Sequence, residues 1–537
     1  MTQNVAEMMV SVLDRSGVRR IYGLIGDSLN PIGDAVRRNR NIRWIAVRHE
    51  EAAAFAAAGE AFMTGKLCVC AGTSGPGSIH MLNGLYEANK NRAPVLAIVT
   101  HIPRSETGLD YFQETSPMRL YEDCSLFCET VSHPSQMPRL MQAGMQKALS
   151  EGGVAVLIVP KDVSEAPAEE NAFLRPIEPT PAALVPDAGE IRKLADIINV
   201  HEKITLYCGI GCCHAKQEVL NLAETLKAPT VCTIRSRDFM ESDNPNDAGM
   251  NGLLSLRESR AALRGCDLLI LLGTDFPYPA ALPVSPTVVQ IDINAGHLGR
   301  RGRLDFGIQA DVKAALDLLL PLLREKKDAA HLRESLEHKR KIDEEKQKDL
   351  EKMAAAEPLR PEYLTHMLSR VADEETVFAV DVGLCTVWAA RYIKAEGRRR
   401  LIGSFRHGSM AAAIPEAMGA WLGAEDPGRP FVVLAGDGGF AMLMGELLTL
   451  VQHRIPLKII VYNNGELGYI NFEAELARMP PFKTELLNPD FARLAEAAGL
   501  KSFRITSPEG LEDTLRQALD AEGPVLIDAL TDPAALP

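Results

Sequence analysis

The stretch Val432 to Asn464, "VVLAGDGGFAMLMGELLTLVQHRIPLKIIVYNN", constrains the fold of this chain more than any other. Two apolar runs, "FVVLA" and "LKIIVY", have the length and β-branched content of buried parallel strands, and the segment between them reads as a helix. One run ends in Gly-Asp-Gly-Gly and the other in Asn-Asn, so both polar endings fall at strand C-termini, the edge where open α/β sheets bind ligands. The spacing predicts an acidic oxygen of Asp437 beside an amide oxygen of Asn464, next to the glycine-opened N-terminus of the intervening helix. Such an arrangement suits Mg2+ shared with a diphosphate.

The same alternation recurs along the chain, whose 537 residues are too many for one ordinary core. Residues 1–180 alternate "RIYGLIG", "LCVCAGT", "VLAIVT" and "VAVLIVP" with helix-like segments and end in a linker rich in Pro and Glu. Residues 183–335 repeat the pattern with "KITLYCGIG", "PTVCTI", "LLILLGTDF" and "TVVQIDIN". A charged run follows, with residues 336–355 as a helical linker; its opposite charges recur at helical spacing and predict a solvated helix pair. The third block, residues 356–537, carries the opening stretch. The expectation is an α/β chain of three doubly wound parallel-sheet domains.

Composition narrows the function. A net charge of −13 and a pI near 5.5 oppose a polyanion-binding surface, so nucleic acid is not an expected partner. The N-terminus lacks the basic-then-apolar layout of a signal peptide, and no stretch approaches the roughly 20 uninterrupted apolar residues of a membrane span. The ten cysteines lie mostly within strand-like runs, which reads as reduced core thiols in a cytoplasmic protein. "CGIGCCH" reads as a glycine turn after a strand, because no second ligand pair stands at zinc-like spacing.

A P-loop is excluded by the absence of Gly-Lys-Ser/Thr, and the Gly436 segment lacks the glycine spacing of a dinucleotide fingerprint. The span from Gly436-Asp437-Gly438 to Asn463-Asn464 instead resembles the signature of thiamine diphosphate enzymes. The resemblance implies that Asp437, the Asn464 side chain and the Glu466 carbonyl bind Mg2+. It also implies that Gly438, Gly439, Gly465, Leu467, Gly468, Tyr469 and Ile470 help hold thiamine diphosphate. In "RHEEAAAFAAAGEAF", Glu50 follows a strand-like run and opens a small-residue helix, like the carboxylate that activates the cofactor's aminopyrimidine. Glu51 is its rival by chemistry alone. In "GSFRHGSMAAAIPEAMGAW", the resemblance makes Met410, after Ser409, the apolar wedge under the bent cofactor, with the Gly408 carbonyl receiving its amino group.

Over nearly the whole chain the sequence is most similar to the flavin-dependent pyruvate oxidases, especially the bacterial pyruvate dehydrogenases that deliver electrons to quinone. "GDSLN", "RHEEAAAFAA", "GPGSIHMLNGLYEA", "HIPRSE" and "YFQET" carry the likeness in the first block, and "NPNDAGMNGLL", "LLGTDFPY" and "QIDIN" in the second. By the resemblance, Asn251, Gly252, Leu253, Leu254, Thr274, Asp275, Phe276, Pro277, Tyr278 and Asp292 contact FAD. His80, Phe112, Gln113, Tyr469 and Glu473 line a pocket for pyruvate or a related small 2-oxo acid. The family position of Tyr469 is usually phenylalanine.

The implied reaction is oxidative decarboxylation through a thiamine-bound enamine, with FAD passing two electrons to quinone or another acceptor and giving acetate and CO2. An acetolactate-synthase-like carboligase and a non-catalytic cofactor-binding subunit are the alternatives. The resemblance implies a homo-oligomer, dimer at least and tetramer by family habit. Membrane association is not expected, because the chain stops at "GPVLIDALTDPAALP" without the lipid-binding extension of the quinone-reducing relatives.

Overall fold

The computed structural model describes residues 3–168, 177, 182–252, 257–275 and 278–537. It contains three six-stranded sheets, every strand pairing parallel to its neighbours. The first sheet holds β1 (Arg20–Gly23), β2 (Arg43–Ala46), β3 (Cys68–Gly72), β4 (Val95–His101), β5 (Phe127–Thr130) and β6 (Val154–Pro160) in the order β2-β1-β3-β4-β6-β5. "VLAIVTH" and "VAVLIVP" are buried at every position, as strands covered on both faces must be.

The third sheet repeats that order. Its strands are β13 (Val377–Val380), β14 (Arg400–Ile402), β15 (Phe431–Gly436), β16 (Lys458–Asn463), β17 (Lys501–Ile505) and β18 (Val525–Leu530), arranged β14-β13-β15-β16-β18-β17. The middle sheet differs. It runs through β7 (Ile204–Cys208), β8 (Thr230–Cys232), β9 (Asp247–Met250), β10 (Leu268–Leu272), β11 (Thr287–Asp292) and β12 (Phe306–Gln309), in the order β12-β11-β10-β7-β8-β9. Counted within that sheet, this is the 3-2-1-4-5-6 order of dinucleotide folds, with its switch point between β7 and β10.

One apolar core joins the first and third sheets. It contains Ala52 to Ala58 of the helix Glu50–Thr64 and Ala413, Ile414, Ala417, Met418 and Ala420 of the helix Ala413–Gly423. The two helices cross with almost no side chain between them: a Cβ on Gly59 would run into the Glu416 carbonyl, and one on Gly419 into the Ala56 carbonyl. This reciprocal approach, glycine in each helix against the residue three positions before the other glycine, explains why both sequences are so rich in Ala and Gly. It also fixes by packing where these helices begin, the first at Glu50 and the second at Ala413, three residues after Met410.

The charged run forms a single helix, Ala330–Met353, and not the helix pair expected from its charge pattern. Its i,i+3 and i,i+4 pairs, such as Arg340 with Glu337 and Glu344, continue without a breaker, and no glycine or proline interrupts them. All ten cysteines are free thiols and most are buried; Cys213 is exposed. Among the described residues no helix is long and apolar enough to cross a membrane.

Candidate active site

Glu50 opens its helix directly after the loop that leaves β2, and it is 4% exposed. His49 caps the helix in extended conformation, its Nδ1 accepting from the Glu51 N–H at 3.3 Å. Glu50 Oε2 lies 2.9 Å from Nδ1 of His80, the last residue of the short helix Pro76–His80, and the His80 ring stacks on His49 with centroids 4.3 Å apart. A Cβ on Gly77 would stand only 2.8 Å from Glu50 Oε1, so a glycine here lets the carboxylate lie against the helix. Gln113 rests on Gly75 in a left-handed conformation, φ 63°, with its Oε1 accepting from Ser74 Oγ at 3.2 Å. Glu50 and His80 are in direct contact, and Gln113 packs on Ser74 and Gly75, which lead into the His80 helix. Phe112 is 78% exposed and stands apart from them.

At the ends of β15 and β16 the two polar terminations meet as expected. Asp437 is 2% exposed; Oδ1 accepts from Gly438 N at 2.9 Å, and Oδ2 accepts from Gly465 N at 2.8 Å and Asn488 Nδ2 at 2.7 Å. Burial raises its pKa despite these donors. The paired asparagines divide their work. Asn463 is tied to Asp528 and Asn488, whereas among the described residues Asn464 Oδ1 accepts only from the Glu466 N–H, at 3.1 Å. The loop after them is held by main-chain bonds from Leu467 N to Thr484 O and from Leu486 N to Gly465 O. One carboxylate, one amide oxygen and one main-chain carbonyl are hard oxygen donors that could hold Mg2+. Asn488 was not found from the sequence; its only signal is that a buried carboxylate at a strand end needs a donor from elsewhere.

Met410 lies over this floor, its Cε 3.5 Å from where a Cβ on Gly438 would be, and Leu467 covers the same glycine. Gly408 has φ +79°, and Ser409 N is fixed by Ser404 Oγ at 2.8 Å. The Glu50 and Met410 segments are bridged within one chain: Asn83 Nδ2 donates to Glu51 Oε1 at 2.6 Å and to Ser409 Oγ at 2.8 Å. Glu51, the chemical rival, is thus engaged with Asn83, while Glu50 faces His80.

A cavity of about 570 Å3 runs from the switch point of the middle sheet to the third sheet. Asn251, Gly252, Thr274, Asp275, Tyr278 and Asp292 all line it, and so do Gly408 and Tyr469 at its far end. Leu253, Leu254, Phe276 and Pro277 lie outside the described residues. The sequence reading missed Gly211, Arg235 and Arg406, which line the same cavity. Gly211 follows β7 and Gly273 follows β10; a Cβ on Gly211 would meet the Gly273 Cα at 2.7 Å, so the floor of the crevice is bare backbone. "CGIGC" after a strand was the signal for it.

The polar groups of this cavity are unevenly satisfied. Asp275 is held by Arg300, Arg301 and Arg406, and Asp292 Oδ1 accepts from Asn294 N at 2.9 Å and faces His297 Nδ1 at 3.0 Å. Arg235 makes no hydrogen bond or ion pair among the described residues, and burial, with Arg406 beside it, lowers its pKa to about 10. Such a cation fits an anionic ligand. On the helix Gly468–Leu476, burial and then Glu473 raise the Tyr469 pKa, while Glu473 itself and Ile470 are exposed.

Two sheets of identical order that share a core, with polar strand ends on one and a buried helix-opening glutamate on the other, define an enzyme of the thiamine diphosphate fold. Three family models match: the thiamine pyrophosphate enzyme N-terminal TPP binding domain over residues 3–120, the central domain over 191–319 and the C-terminal TPP binding domain over 381–529. The chain is 34% identical over 530 residues to the putative thiamine pyrophosphate-containing protein YdaP of Bacillus subtilis, covering 98% of this chain and 92% of that one. It is 30% identical to the pyruvate oxidase of Lactiplantibacillus plantarum (97% and 87% covered) and 29% to a probable acetolactate synthase large subunit of Methanocaldococcus jannaschii (99% and 93%). The chain belongs to the thiamine pyrophosphate enzyme family, among its pyruvate oxidase-like members.

Proposed function

We propose that the chain decarboxylates pyruvate or a related small 2-oxo acid oxidatively, with thiamine diphosphate, Mg2+ and FAD, passing two electrons to a quinone or another acceptor and giving acetate and CO2. The observation that carries this reading is the cavity. It starts at a switch point with dinucleotide strand order and ends at Gly408 and Tyr469, beside the residues assigned to thiamine. A carboligase would keep the FAD or a vestige of it and pass the enamine to a second keto acid, so the cavity supports the cofactor and flavin reduction decides the reaction.

When bound, thiamine diphosphate supplies the nucleophilic carbon and electron sink, and FAD the two-electron acceptor. The chain's own groups bind and orient. Asp437, Asn464 and the Glu466 carbonyl would hold Mg2+, and the Asp437 carboxylate retains acceptor capacity beyond its three N–H donors. Arg235 and Arg406 offset the charge of a dinucleotide's diphosphate. Glu50, shielded from water and held by His80, exchanges a proton at its carboxylate with a ring nitrogen presented to it. The Gln113 amide and the His80 ring offer donors to a small carboxylate. Phe112, Phe482 and Leu487 are strongly exposed apolar side chains, which supports a homo-oligomer in which a second copy covers them.

Anaerobic addition of pyruvate to the cofactor-loaded protein tests the reading. Flavin absorbance should bleach within a turnover and return on adding quinone or oxygen. Acetolactate formation with little bleaching would make the chain a carboligase, and neither change would leave the non-catalytic subunit.

A further inference from the structure

Glu446 stands just beyond the helix Asp437–Met442, in the third layer, yet two of its three hydrogen bonds cross to the first. Its Oε1 accepts from Arg48 N and from His49 N, both at 3.0 Å, and its Oε2 accepts from Thr449 Oγ1 at 2.6 Å. It is 1% exposed. The following helix, Leu447–His453, adds two more contacts to the same loop. Gln452 Oε1 accepts from Arg48 Nη2 at 2.6 Å, and His453 Nε2 meets Ala46 N at 3.1 Å. Residues 46, 48 and 49, within the four that precede Glu50, are therefore gripped by one segment of the other layer.

The last bond from this segment to the first sheet is from Val47 N to Gly23 O, and the next two N–H groups, before the Glu50 helix begins, find their acceptor in Glu446. A carboxylate oxygen reaching in from outside satisfies both and fixes the backbone direction at the cap. The equivalent helix of the first layer does the converse. Glu87 accepts from Ser404 Oγ, and Ser404 Oγ in turn holds Ser409 N, one residue before Met410. Each layer thus contributes one buried glutamate to the loop that leads into the other layer's crossing helix.

We propose that Glu446 is a positioning residue for Glu50: its carboxylate fixes the Arg48 and His49 backbone and so sets where the Glu50 side chain emerges. This rests on Glu50 as the activating carboxylate. The proposal predicts that an acceptor oxygen is what matters and charge is not, because an amide oxygen at the same place can accept both N–H bonds while its NH2 turns to the Thr449 hydroxyl.

Amide hydrogen exchange on the cofactor-free protein reads the clamp directly. In Glu446→Ala the Arg48 and His49 amides should exchange about tenfold faster, the worth of a typical lost hydrogen bond. In the loaded enzyme kcat should fall roughly 10- to 100-fold with KM and thiamine diphosphate affinity within about threefold, as a displaced catalytic group costs. Glu446→Gln should restore both readouts to within about threefold. Unchanged exchange in Glu446→Ala, or equal damage in Glu446→Gln, would overturn the proposal. If Glu446→Ala does not fold, Thr449→Val takes its place, since it frees Oε2 and should speed exchange at the same two amides; no change there would also overturn it. If exchange responds as stated while Glu50→Gln keeps normal turnover, the clamp stands and the role of Glu50 is what fails.

Discussion

The first and third sheets have the same strand order, and their crossing helices meet at matching glycines, yet what the two present at their strand ends is opposite in kind. After its second strand the first sheet offers a buried acid, Glu50; the third offers Gly408, Ser409 and Met410, backbone and an apolar side chain. After its third strand the first sheet offers Thr73, Ser74 and Gly75, without charge; the third offers Asp437. On the proposed reading, one layer handles a proton and the other holds a cation and an anion. A duplicated frame thereby carries different polar groups at equivalent strand ends.

The sharpest way to break this division is Glu50→Gln. If proton handling belongs to the first layer alone, turnover should fall about 1,000-fold, the scale of a lost acid–base group, while the apparent Tm and thiamine diphosphate binding stay near wild type. Calorimetric titration with the cofactor beside steady-state rates would check it. Near-normal turnover with cofactor bound would sink the assignment.

Asp437→Ala attacks the other half. Mg2+-dependent retention of thiamine diphosphate should weaken by at least about 100-fold, because losing even an outer partner of a metal ligand costs up to that. FAD content should not change, because the cavity assigned to it is walled mainly by the middle sheet. Gel filtration followed by absorbance and thiochrome assays of the retained cofactors separates the two. Loss of both cofactors from a folded chain would show that the layers do not divide the ligands in this way.

How far this comparison was legible in the sequence differs by element. Asp437 and Asn464 were readable because each sits at a change of periodicity, an apolar run ending in a polar group, and strand ends are where such groups gather; choosing Glu50 over Glu51 needed the family resemblance. The three-layer α/β organisation followed from the same alternation. What could not be read was long-range. Nothing near Asp437 announces Asn488, 51 positions away, and nothing near Glu50 announces Glu446. The glycine crossing was visible only as an Ala/Gly bias, since a sequence shows small residues but not which helix they admit. The single helix Ala330–Met353 was read as two because charge spacing sets a helical face and not its length. Arg235 and Arg406 were missed because an isolated arginine has no local signature.

The smallest effect concerns Asp381, at the end of β13 and beside the Met410 loop, where its Oδ2 accepts from Ala411 N at 3.1 Å. Burial pushes its carboxyl up from 3.8 to about 7, against the pull of main-chain donors. The folded protein keeps that proton to about pH 7, whereas the unfolded chain releases it near 4, so over this window the folded state binds more protons. The stability contributed by the group is full below about pH 4, declines as pH rises and levels off above about 7. Asp381→Asn cannot titrate and should flatten that decline, by on the order of a few kcal/mol at most across the window. Its apparent Tm should therefore fall less than that of wild type between pH 5 and pH 7.5, as followed by calorimetry at matched ionic strength. The first layer's counterpart is Gly23 at the end of β1, which has no carboxyl to titrate, so the effect should trace to the third layer alone. Parallel curves for the two proteins would mean that Asp381 is already ionised in the fold, and that a second buried carboxylate charge stands at the strand ends of the third layer in addition to Asp437.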